Sequence, residues 1–370
     1  MSIFDRYPCG YDVDIGSSEA QKVRAELVQK LRSVLAVQGM RKPVVNDIFH
    51  RVGYISPDSV RVVNYLRRKP VAIFNPGAVI RGSKLWVFPR IVFDYYWYVS
   101  SIGFFEVDVG SIIDGRLESS IDVELVLTPS ESWEIYKGCE DPRIFIHNDV
   151  LYILYTAVGT SQGNPIIIRQ AMALLNSSLS VTRKLCFAIC TRNGVRYRTF
   201  WKDSAILDLE PPGVNMLTRP SIPTNESYID VNWFGVADME IGCFDLETME
   251  PVMGFEKEFE YKVGWSTNTL KVSSNEYLVG WHAVGVDNVY RNGLAVISRE
   301  GELLGVSDYL LAPRREHTEF YGDRPGVVFG NGLVEHGEYI IWVGGVSDYC
   351  IGIFKTEKNR VFERIRWLRG

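Results

Sequence analysis

Apolar and polar positions follow two different periods along the chain. From Ser17 to Val37, SSEAQKVRAELVQKLRSVLAV, the apolar residues Val23, Leu27, Leu31 and Leu35 recur every four positions behind a Ser and an acidic residue. That spacing predicts one capped amphipathic helix. After about Pro70 the period changes to short β-branched and aromatic runs, among them KLWVFPRIV, VLYILYTAV, YIDVNWFGV, EYLVGWHAV, GLAVISREGELLG and EYIIWVGGV. Each has the length of a strand and is bounded by Gly, Asn, Asp or Pro, residues that form turns. Parallel β-sheets need crossovers of about a dozen residues between strands, mostly helical, and too few can be placed here. The fold class is therefore all-β: a sandwich, a barrel or a propeller.

A loose unit of strand, turn, strand and irregular link recurs, and small antiparallel sheets repeated round an axis protect their own edges. The repeat is too weak to count blades. The division expected is an extension with the helix over 1–70, a β domain over 71–355, and a tail over 356–370. The tail, TEKNRVFERIRWLRG, reads as a solvated terminal segment. Packing on the β domain is the expected fate of the helix's apolar face, with self-association into a homo-oligomer through Val23, Leu27 and Leu31 as the alternative.

Hydrophobic residues make up 46% and charged residues 23% of the 370 positions, enough apolar content for a large core. A net charge of -5 without a long basic run excludes a nucleic-acid footprint and gives anionic membranes little attraction. A small neutral partner fits better. No stretch of roughly 18 apolar residues occurs and the first residues lack a secretory pattern, so a cytoplasmic location is expected. The six cysteines show no paired spacing for zinc and are expected to be buried, reduced thiols, with no metal or other cofactor.

Chemistry concentrates at Gly138-Cys-Glu-Asp-Pro-Arg143, immediately before a strand run. Glu140 and Asp141 are pinned between Gly and Pro, with Arg143 placed to orient a carboxylate. Alone, such an acidic turn is more often structural than catalytic. Further candidate segments are Phe74-Asn-Pro-Gly-Ala78, Arg90, Ser100-Ser-Ile-Gly103, Trp281-His282, Tyr290-Arg291, Gly322-Asp323 and Gly344-Gly-Val-Ser-Asp348. Arg90 lies inside an apolar strand, where an unpaired cation is costly, so a carboxylate partner or a substrate is expected beside it.

Taken together these pieces resemble glycoside hydrolase family 130, the mannoside phosphorylases and related β-mannosidases, over about residues 70–355. GCEDPRI is similar to the family's G-x-E-D-P-R-I and FNPGAV is the same string; WHAVGVDNVYRNGLAVI, GDRPGVVFGNG and GGVSDYCIGI resemble three further family segments in the same order. The resemblance implies a five-bladed β-propeller with an N-terminal helical extension and an enzyme acting on a small oligosaccharide. It implies Asp141 as proton donor, and Asn75, Arg90, Ser101, Glu140, Arg143, Asp323 and Asp348 as residues around the bound mannosyl unit. His282 and Tyr290 match positions that hold phosphate, the co-substrate of a phosphorylase. The family's K-D-x-x-L-F-P-E segment aligns with Val214–Ile222, where only Arg219 offers a cation, and its H-R-P segment with Asn232-Trp-Phe, which leaves the phosphate site incomplete. Trp265 is expected to border the site.

An inverting hydrolase needs a second carboxylate as base, whereas a phosphorylase needs cationic groups for the phosphate. Phosphorolysis to mannose 1-phosphate is the first expectation. Hydrolysis with Glu210, Glu226, Glu240, Glu316 or Glu319 as base is the alternative, and a non-catalytic glycan-binding propeller is a third, disfavoured by the retention of Asp141.

Overall fold

The computed structural model describes residues 11–12, 16–161, 164–225, 227–315 and 318–368. Apart from one long helix, α1 (Ser18–Ala36), the chain is mostly strands. The Ser17 hydroxyl caps α1 by accepting from the Ala20 amide, and Ala20, Val23, Leu27 and Leu31 are buried in the same apolar cluster as Leu246, Met249 and Met253. The face available in principle for self-association is taken up within the chain. Among the described residues no helix is long and apolar enough to cross a membrane.

Five long strands organise the rest: β1 (Ala72–Arg81), β2 (Gly138–His147), β3 (Trp201–Glu210), β4 (Glu260–Lys271) and β5 (Val328–His336). Each opens a run of antiparallel neighbours joined by short connections. The five pack in chain order, β1 on β2, β2 on β3, β3 on β4, β4 on β5, and β5 returns to β1, so they close a ring. The sheet opened by β5 is completed by His50–Ile55, which pairs with the strand Cys350–Glu357. Main-chain pairing thus crosses the division expected at residue 70.

The terminal segment departs from its expectation as a solvated tail. Lys358–Phe362 forms a short helix, Val361 and Ile365 are buried, and Arg366–Trp367 pairs with Gly305 and Val306. Its apolar residues outweigh its run of cations. A second correction concerns the thiols. Cys139, Cys186 and Cys350 are buried, but Cys190 and Cys243 form a disulfide, with Cα atoms 5.6 Å apart. Parallel pairing of Ala188–Cys190 with Cys243–Asp245 brings them together, a contact across 53 residues that local spacing does not announce.

Candidate active site

Near their starts three of the five inner strands lose register with their neighbours: between Phe74 and Gly77 in β1, Glu140 and Arg143 in β2, and Lys202 and Ala205 in β3. At the centre of these three irregularities stand Asn75, Asp141 and Asp203, all with left-handed φ, at 44°, 52° and 58°. Asn and Asp tolerate that conformation better than other side chains, and a bulge re-aims the residue it carries. All three side chains line a cavity of about 210 Å³. Asp348, also left-handed at 50° and set in the turn after Tyr339–Val346, joins them.

Two clusters share this cavity. In the first, Asp141 accepts from the Asn75 amide at 2.8 Å and from Arg90 at 3.1 Å, while Arg90 also donates to Glu140 at 2.8 Å and to the Ser100 hydroxyl at 2.8 Å. The carboxylate partners expected for Arg90 are therefore Glu140 and Asp141. Burial pushes the Glu140 carboxyl up although Arg90 opposes the shift. Burial likewise lifts Asp348 to about 6, against Arg90 and with the help of the neighbouring charge on Asp141.

The second cluster surrounds Asp203, which accepts from Arg219 at 2.7 Å and Arg143 at 3.0 Å. Burial penalises this carboxylate, but Arg219 and Arg143 overcome the penalty and hold it well below the usual range. His282 lies 3.8 Å from Asp203, shares a hydrogen bond of 3.0 Å with the Ser266 hydroxyl, and stacks on Tyr290. Burial, reinforced by Arg219 and Lys262, keeps His282 far below the usual imidazole range and so neutral. Lys262 sits 5.7 Å from the Tyr290 ring and is drawn down to about 7 by burial and by the charges of Arg219 and Lys202. Arg324 lies over the Tyr290 ring at 5.1 Å, and Lys202 and Arg324 complete the cationic wall. Gly264 makes the cluster possible, since a methyl group there would stand 2.6 Å from His282 and 2.7 Å from the Asp203 carboxylate.

Of the residues singled out in the sequence, Asn75, Arg90, Glu140, Asp141, Arg219, His282, Tyr290 and Asp348 line the cavity. Arg143 stands behind the wall and ties the clusters together, donating at 2.9 Å to the Asp141 carbonyl and at 3.0 Å to the Asp203 carboxylate. Ser101 is buried but absent from the lining, and its neighbour Ser100 makes the contact to Arg90. Asp323 is exposed and outside the lining, near enough to Tyr98 and Asp348 to act on both electrostatically.

One expectation is corrected. Trp265 is fully buried and donates to the Trp233 carbonyl at 3.0 Å, so it is a core residue rather than a border of the site. Lys202 and Asp203, not singled out in the sequence, line the cavity beside Arg219, whereas Val214 and Asn232 are buried outside the lining. The signal that marks Lys202 and Asp203 is their place just before the apolar run Ala205-Ile-Leu207. The glutamates considered as bases are elsewhere: Glu210 pairs with Arg299, Glu240 is exposed, and Glu319 is held by Arg51, Tyr54 and the Arg314 amide. Glu226 and Glu316 lie outside the described residues.

The sequence profile of glycoside hydrolase family 130, described as beta-1,4-mannooligosaccharide phosphorylase, matches residues 39–366. A beta-1,2-mannobiose phosphorylase of Thermoanaerobacter sp. (strain X514) is 24% identical over 304 residues, 78% of this chain and 91% of the relative. Among solved structures, the beta-1,2-mannobiose phosphorylase of Listeria innocua in complex with beta-1,2-mannobiose superposes with a TM-score of 0.61 at 14% identity, covering 86% of this chain and 97% of that one. A mannose phosphorylase of Leishmania mexicana in complex with phosphate gives 0.52 at 13% identity, covering 91% and 94%.

Proposed function

Because the chain belongs to glycoside hydrolase family 130, we propose that it cleaves a β-mannoside by inverting phosphorolysis in this cavity, with Asp141 as proton donor. The mannosyl unit sits among Asn75, Arg90, Glu140 and Asp348. Phosphate is held by Lys202, Arg219, His282, Tyr290 and Arg324, with Lys262 close behind. A phosphate oxygen forms a bond to the anomeric carbon as the bond to the leaving oxygen breaks. Asp141 gives its proton to that oxygen and regains one before the next turnover. The products are mannose 1-phosphate of inverted configuration and the shortened saccharide.

The observation that carries this reading is the cationic wall around Asp203. Its carboxylate is already paired with Arg143 and Arg219, so it is a poor base toward water, while the remaining cations suit a dianion. Hydrolysis would require a free second carboxylate about 6.5–9.5 Å from the acid. The ring of five inner strands supports reading the fold as a five-bladed propeller, with the N-terminal extension supplying the outermost strand of its last blade.

The deciding experiment incubates the purified protein with β-1,2- and β-1,4-linked mannooligosaccharides, with and without inorganic phosphate. Mannose 1-phosphate formed only with phosphate is the expected result. Free mannose released at the same rate in both would overturn it in favour of hydrolysis.

A further inference from the structure

The connection Asp94–Val99 joins the strand bearing Arg90 to the strand bearing Ser100, so both of its ends are fixed at the cavity. Its sequence is Asp-Tyr-Tyr-Trp-Tyr-Val. Tyr98 lines the cavity, with the Arg90 guanidinium 5.3 Å from its ring. The other three aromatics run outward from it: Tyr95 contacts Tyr98 with ring centroids 6.1 Å apart, and Tyr96 meets Trp97 edge-on at 5.3 Å. Tyr96 is 87% exposed and Trp97 59%. The turn is built rather than loose, since the Trp97 amide donates to Asp94 at 2.8 Å and the Tyr95 hydroxyl to the Val71 carbonyl at 3.1 Å. Contiguous aromatic surface left in water marks a binding surface.

We infer that this turn is a platform for the leaving saccharide beyond the sugar attached to the cleaved bond, so that the preferred substrate is an oligosaccharide longer than a disaccharide. This rests on the functional reading above. The occupant is argued from continuity: the aromatic row starts at Tyr98, inside the cavity, on the side where Arg90 contacts Asp141, the acid that faces the leaving oxygen. Aromatic faces with hydroxyl or indole edges complement sugar rings, which present C–H faces bordered by hydroxyls. A sugar chain leaving the cavity on the acid's side passes over Tyr95 toward Trp97.

The test compares kcat/KM for mannobiose and mannotetraose of one linkage in the wild type, Trp97→Ala and Trp97→Phe, with affinities for both sugars measured by calorimetry on the same three proteins carrying Asp141→Asn. The expected wild-type preference for the tetraose is about tenfold, the order of one aromatic stacking contact. It should collapse toward one in Trp97→Ala, mainly through KM, and be retained in Trp97→Phe. Equal use of both sugars by the wild type, or an unchanged ratio in Trp97→Ala, overturns the platform while leaving the functional reading intact. Absence of any cleavage would instead strike the functional reading, and the affinities would still decide the platform. Loss of self-association in Trp97→Ala with the sugar ratio unchanged would assign the patch to a second copy of the chain and overturn the inference.

Discussion

Arg143 binds Asp203 through a buried ion pair of 3.0 Å and at the same time donates to the main-chain carbonyl of Asp141. One guanidinium therefore sets the backbone of the proposed acid and the charge of the cationic wall together. Asp203 also neutralises Arg219. Asp203→Asn removes the charge, leaving buried Arg143 without a carboxylate partner and Arg219 with Asp230 alone, which should cost about 3–5 kcal/mol of stability. Denaturant unfolding at pH 7 checks this. Because the Asp203 carboxyl is held low in the fold, its contribution is present above the ordinary carboxylate range and lost as acid titrates it, so the difference between wild type and variant should shrink below about pH 4.

Asp141→Asn should lower turnover of a mannobiose by about 10²–10⁴-fold, the usual worth of a positioned acid. With a nitrophenyl leaving group, which departs without a proton, the loss should be far smaller. Near-equal losses on the two substrates would remove Asp141 from the role of proton donor.

Asp348 is lifted by burial to about 6. A carboxyl raised in the folded state stabilises the fold fully below its unfolded value near 4 and loses that advantage as pH rises through 6. Asp348→Asn should therefore melt above the wild type at pH 7, by roughly 2–6 °C, and at the same temperature near pH 4. Calorimetric scans across that range read the sign directly.

Lys262, drawn down to about 7, loses its charge as pH rises through neutrality. The KM for phosphate should rise several-fold between pH 6.5 and 8.5, roughly the span over which such a lysine titrates. In Lys262→Arg, which stays charged, the profile should flatten. Initial rates at varied phosphate and saturating saccharide give the comparison.

Pairing of Cys190 with Cys243 leaves at most four of the six cysteines titratable after denaturation without reductant. Six thiols would show the pair reduced in the purified protein.

Much of this molecule was legible along the chain because its causes are local. The four-residue period and the Ser cap specify α1, and β-branched runs between turn residues specify strands, whatever lies far away. Asn75 and Asp141 stand before Pro, and Asp348 follows Gly344-Gly-Val-Ser, turn-like strings that suit a backbone in the left-handed conformation, so that requirement is written in nearby residues. Asp203 shares the left-handed conformation, but Lys202-Asp203-Ser carries no Gly or Pro to mark it. What only the tertiary structure decided is which charges meet. Arg143, Asp203, Arg219, Lys262 and His282 sit on strands tens of residues apart, and closure of the inner ring sets their separations. Coulombic pairing and desolvation depend on distance and burial in space, not on spacing in sequence. The same reason hid the Cys190–Cys243 pair and sent Trp265 into the core.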